Sequence, residues 1–177
     1  MEQRSYGDVR EGFMTGDLLC FRSKDLDGRL IRLLTRSEYS HVGLVFLYEG
    51  RVYCLEAVAS GVQLALMSRR AREYNGGVDY FRVLDVSEEQ RRGAVGFAFQ
   101  QLGGVYNYPG ILRFFWFLLS GDKERVRSRN RWFCSEIVAE AYRLQKAPLV
   151  ERRAAAYTSP ADLARSERVT LAFRIKA

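Results

Sequence analysis

The chain has 177 residues, 47% hydrophobic and 13% aromatic against 28% charged, which suits one packed core and excludes both a disordered chain and two full domains. Its net charge of +7 admits an anionic partner or surface, but no nucleic-acid motif or Walker-type loop accompanies it, so nucleic-acid binding is set aside. Three cysteines, Cys20, Cys54 and Cys134, are odd in number and lack CxxC spacing, which argues against a disulfide framework and a four-ligand zinc site.

The opening stretch MEQRSYGDVREG is polar and has no apolar signal-peptide core. The longest apolar run, Ile111 to Leu119, contains Arg113 and is roughly half of the ~20 residues a bilayer span requires. A cytoplasmic protein with reduced thiols is expected. Gly16 to Arg22 predicts a strand, and Leu26 to Leu34 a short helix with Leu30, Ile31, Leu33 and Leu34 at helical spacing. His41 to Tyr48 and Arg51 to Val58 flank Glu49-Gly50 and predict an antiparallel hairpin, apolar enough on both faces to be covered. Val62 to Met67, Val78 to Leu84 and Val169 to Ile175 bring the expectation to five or six strands.

Ser87 with Gln90 forms a capping-box pattern for a helix running to about Leu102. A second helix is expected over Ile111 to Leu119. A third begins at or just after Cys134, with Ile137, Val138, Ala141, Tyr142 and Leu144 on its buried face. Ser159-Pro160 opens a fourth, serine as N-cap and proline at the first helical position. With no repeat and no linker, the expectation is a single α+β domain over residues 1–177.

Cys134 sits where the apolar Trp132-Phe133 gives way to an amphipathic helix, so unpaired N–H groups and the helix dipole favour its thiolate. The same N–H groups suit a developing oxyanion. His41 is the one histidine in the chain, so any Cys/His mechanism must use it. A two-residue Glu49-Gly50 turn pairs Tyr48 with Arg51, Gly43 with Glu56 and His41 with Val58. Glu56 then becomes the diagonal neighbour of His41 on one face, at roughly 7–8 Å between backbone positions, and Gly43 has no side chain to block the reach. A carboxylate within VYCLEAV is a poor core residue unless it has a partner. Asp17 and Asp79 are rival carboxylates without that positional argument, while Cys20 and Cys54 fall within strands and read as packing.

The segments GDLLCFRS, YSHVGLV, LEAV with Gly61-Val62 after it, FCSEIVAEAY and SPADL, in that order over residues 16–163, resemble the permuted NlpC/P60 proteins of the YiiX/YaeF type. The resemblance implies a circularly permuted papain-like fold: a central antiparallel sheet or small barrel against helices, with the histidine strand before the cysteine helix. The family's cysteine, histidine and glutamate would fall on Cys134, His41 and Glu56. It further implies a cysteine amidase or peptidase that cleaves an amide bond through an acyl-enzyme, with a cell-wall-type peptide as the suggested substrate. Two alternatives stand beside it: a lipid-directed thiol acyltransferase or hydrolase, since related permuted folds act on acyl lipids, and a binding module with a vestigial triad.

No cofactor is expected, and one histidine with scattered carboxylates makes a poor transition-metal site. Tyr106, Tyr157 and Ser135 are candidate substrate-binding residues, Ser135 having also a plain role in starting its helix. Ile111 to Leu119, apolar nearly all round and beside the basic run from Lys123 to Arg131, is expected to supply a membrane-surface or self-association contact.

Overall fold

The structure, a computed structural model, describes residues 3–108, 116, 120, 131–151 and 153–176. Strands β1 (Gln3–Arg4), β2 (Leu18–Ser23), β3 (His41–Tyr48), β4 (Arg51–Val58), β5 (Gly61–Leu66) and β6 (Gly76–Val83) join the last strand, β9 (Val169–Ile175), in one sheet. A separate parallel pair is made by β7 (Val105–Tyr106) and β8 (Arg131–Trp132). The sheet order is β1-β9-β6-β2-β3-β4-β5, antiparallel throughout except where β1 lies parallel to β9. The sheet is open rather than a closed barrel. It has seven strands because Gln3–Arg4 adds a short edge.

Six α-helices are described: α1 (Tyr6–Val9), α2 (Leu26–Thr35), α3 (Met67–Glu73), α4 (Glu88–Gln100), α5 (Cys134–Leu144) and α6 (Pro160–Ala164). The starts of α4 and α6 follow from their sequence. Ser87 Oγ accepts from Gln90 N–H at 3.1 Å while Gln90 Oε1 accepts from Ser87 N–H at 2.9 Å, and Ser159 and Asp162 repeat the reciprocal pattern ahead of Pro160. The expected helix at Ile111 to Leu119 lies outside the described residues apart from Trp116, which is exposed.

Both faces of the sheet are covered. On one face Leu18, Cys20, Val42, Leu44, Leu55 and Ala57 pack against α4 and α5. On the other, Leu19, Phe21, Val45, Val52, Cys54 and Tyr80 pack against Val9, Phe13, Met67 and Ala71. Helix α5 is buried from Cys134 through Tyr142, more completely than an amphipathic pattern implies. Leu144, expected on its buried face, is exposed because it falls in the last turn, past the covering layer.

The two rival carboxylates have structural partners. Asp17 receives Val83 N–H at 2.8 Å together with the Arg91 guanidinium and the Tyr80 hydroxyl, tying β2, β6 and α4 together. Asp79 takes Arg22 at 2.9 Å and the Tyr39 hydroxyl at 2.8 Å. Both are fully buried, and buried carboxylates persist where their lone pairs are satisfied in this way.

Candidate active site

The β3–β4 hairpin sets the site. Glu49 and Gly50 both have positive φ, 45° and 68°, the backbone of a two-residue turn matched to strand twist. The register runs from Tyr48↔Arg51 to Leu44↔Leu55, where the ladder ends short of the expected Gly43–Glu56 and His41–Val58 pairs, and Gly43 still lies against Glu56. His41 pairs with Phe21 of β2, and their rings lie 5.1 Å apart on the face that carries Glu56. A side chain at Gly43 would collide with the neighbouring strand: its Cβ would stand 2.5 Å from Cys54 Sγ, 3.0 Å from the Leu55 carbonyl oxygen and 3.2 Å from Glu56 Cβ. Gly43→Ala is therefore expected to cost about 1–3 kcal/mol in thermal unfolding, by overpacking. Gly96→Ala in α4, with nothing within 4 Å, is the control and should be neutral or slightly stabilising.

His41 Nε2 lies 2.7 Å from Glu56 Oε2. The other carboxylate oxygen is held from two more elements, by Gln63 Nε2 of β5 at 3.1 Å and by Arg70 Nε of α3 at 3.0 Å. Glu56 is fully buried, yet burial is outweighed by the hydrogen bond and charge of His41 and then by Arg70, which bring its pKa down to about 2. Cys134, the first residue of α5, reaches His41 from the opposite layer. Burial opposes its thiolate, but the charge and hydrogen bond of His41, with the backbone N–H groups of Val42 and Ser135, hold it below the ordinary thiol range. For His41 burial also opposes charge, and Cys134 and Glu56 together push its pKa up to about 10. These shifts favour a charged pairing of Cys134 with His41, with Glu56 held at Nε2 of the ring.

The other two thiols behave oppositely. Cys20 and Cys54 are fully buried, and burial, reinforced by Asp79 and Glu56 respectively, raises both well above the ordinary range. Tyr106 lies close enough to Cys134 for the thiolate, after burial, to help raise its phenol. Its ring sits edge-on to Tyr108 at 5.0 Å. Ser135 is fully buried and meets Cys134 through its backbone N–H, while its hydroxyl has no hydrogen-bond partner among the described residues. Tyr157 ends a short 3-10 turn, Ala155–Tyr157, that packs against α5.

Gln63 and Arg70 were not singled out from the sequence. The hairpin arithmetic that found Glu56 also finds Gln63 once the β4–β5 turn at Ala59-Ser60 is used, since Val58↔Gly61 leads to Glu56↔Gln63. Arg70 comes from a helix folded back under the sheet, and no local signal points to it.

A family described as "permuted papain-like amidase enzyme, YaeF/YiiX, C92 family" matches residues 13–170. The chain belongs to the C92 family. A C92 relative from Escherichia coli K12, "probable lipoprotein peptidase YaeF", is 28% identical over 173 residues, covering 84% of this chain and 61% of that protein. This chain thus matches less than two thirds of that relative's length. The crystal structure of yiiX from Escherichia coli O157:H7, described as a metalloprotein, superposes with a TM-score of 0.68 at 21% identity, over 89% of this chain and 94% of that one. The shared architecture is the permuted papain-like fold, in which the histidine strand precedes the cysteine helix. Among the described residues no three His, Cys, Asp or Glu side chains gather in a way that would hold a metal ion. Nor is any described helix long and apolar enough to cross a membrane.

Proposed function

We propose that this C92 protein is a cysteine hydrolase that cleaves a peptide amide bond, with Cys134 as nucleophile, His41 as acid and base, and Glu56 holding the imidazole. The observation that carries the reading is the 2.7 Å contact of His41 Nε2 with Glu56 Oε2 on a histidine that also hydrogen-bonds Cys134. The thiolate attacks the carbonyl carbon. Charge moves onto the carbonyl oxygen, which the backbone N–H groups at the start of α5 are placed to receive. The C–N bond then breaks as His41 gives its proton to the leaving amine, and a thioester on Cys134 remains. Water attacks the thioester, His41 takes its proton, and the acid product leaves the thiolate–imidazolium pair restored.

Tyr106, beside the thiol, is assigned to the substrate cleft on its proximity to Cys134. Tyr157 and Ser135 carry a weaker case, Ser135 acting through its N–H. Three unpaired thiols support a reducing, cytoplasmic setting. The reading is tested by a panel of cell-wall-type peptides, isopeptides and acyl esters, assayed with wild type and Cys134→Ser. Turnover of a peptide amide that disappears in Cys134→Ser, with a trapped acyl adduct on Cys134 by intact mass, is the expected result. Turnover of acyl esters alone would move the protein to lipid chemistry. A trapped adduct on no cysteine, with no turnover, would leave a binding module.

A further inference from the structure

Helix α2 keeps three of its five large apolar side chains outside. Its inward side is closed by Gly28, where a Cβ would lie 2.5 Å from Ser23 Cβ and 3.3 Å from Ser40 Oγ, by buried Thr35 and by half-buried Ile31 and Leu34. Its outward side is leucine, with Leu26 81%, Leu30 52% and Leu33 73% exposed. Those positions, i, i+4 and i+7, form one stripe. Arg29 and Arg36 are exposed beside it. Arg29, Arg32, Arg36 and Arg165 also line a shallow hollow with Leu33 and Tyr39. Of the described acidic side chains nearby, Asp25 is occupied by Asn75 at 2.8 Å and Ser23 at 3.0 Å, and Glu38 faces Arg174 at 3.5 Å.

We propose that this outward face of α2 is a docking surface for an anionic lipid bilayer. Three convex leucines flanked by arginines match what an interfacial helix inserts among lipid headgroups, and ten residues make the contact weak and reversible. A symmetric contact with a second copy would set the arginines against one another. The position matters for the chemistry. Only residues 36–40 separate α2 from His41, so docking would hold the His41 end of the sheet near the membrane surface.

The test is co-sedimentation of the full chain with vesicles of phosphatidylcholine alone or mixed with phosphatidylglycerol, at low and moderate salt. Binding should require phosphatidylglycerol, weaken with salt, and fall at least about tenfold in Leu30→Ser/Leu33→Ser, since each buried methylene matters to partitioning. Arg29→Glu/Arg36→Glu should abolish the preference for the anionic vesicles. If the double leucine variant melts lower than wild type, Leu26→Ser, at the most exposed position, takes its place. Wild type that stays in the supernatant with anionic vesicles overturns the proposal. So does binding unchanged by the leucine substitutions. Self-association without lipid that Leu26→Ser removes would make a second copy the occupant and equally overturn it.

Discussion

His41→Ala is expected to lower turnover about 10³-fold or more, because the imidazole supplies both proton transfers and also keeps the Cys134 thiolate charged. General acid–base catalysis alone contributes about 10²- to 10⁴-fold. The thiolate is a second loss: without the imidazolium, burial is opposed only by the Val42 and Ser135 N–H groups, so the thiol pKa rises. The loss should appear in kcat rather than KM. The His41 side chain is 16% exposed and borders the surface, so folding should survive, which a melting curve checks. A folded His41→Ala enzyme within tenfold of wild type would remove His41 from the mechanism.

Glu56→Gln is expected to lower turnover about 10²-fold, less than His41→Ala, and to destabilise the fold by about 3 kcal/mol. The activity loss follows from the imidazolium losing its carboxylate, so that the His41 pKa falls from about 10 and the ion pair dissolves at lower pH. The stability loss follows from Arg70, left against an amide where it faced a charge. Its pH dependence has a definite sign. The Glu56 pKa is depressed from 4.5 to about 2, so its contribution is present above 4.5 and is lost as pH falls through about 2. Wild type and Glu56→Gln should therefore converge in stability on acidification. Arg70→Gln keeps the His41–Glu56 contact and should lose only about tenfold in turnover; with the Arg70 charge gone the Glu56 pKa rises, so its stability contribution is lost at higher pH than in wild type. Full activity in a folded Glu56→Gln protein would move the orienting role elsewhere.

These effects were legible to different degrees in the sequence. The hairpin was readable because Glu49-Gly50 permits one tight turn, and that turn fixes every partner down to Leu44 and Leu55. Cys134 was readable from the change of pattern at Phe133, since a helix start carries its own electrostatics. Arg70 was not, because its role depends on α3 folding under β4, a tertiary fact with no local period. In α2 the spacing alone leaves the face open. Helical spacing of Leu30 and Leu33 shows that they share a face, but which face meets the core is decided by Gly28 fitting against Ser23 and Ser40. The pairing of β1 with β9 joins the two ends of the chain through two residues, too few to leave a strand pattern.

Whether Cys134 rests as a thiolate held by His41 is read from the pH dependence of its alkylation. Brief iodoacetamide treatment followed by mass-spectrometric mapping, across a pH series, reads Cys20, Cys54 and Cys134 separately in wild type and His41→Ala. Cys134 should label fastest and stay reactive well below the ordinary thiol range, and His41→Ala should move its profile to higher pH. Faster labelling of Cys20 or Cys54 in the folded protein, or a Cys134 profile unmoved by His41→Ala, would contradict the account.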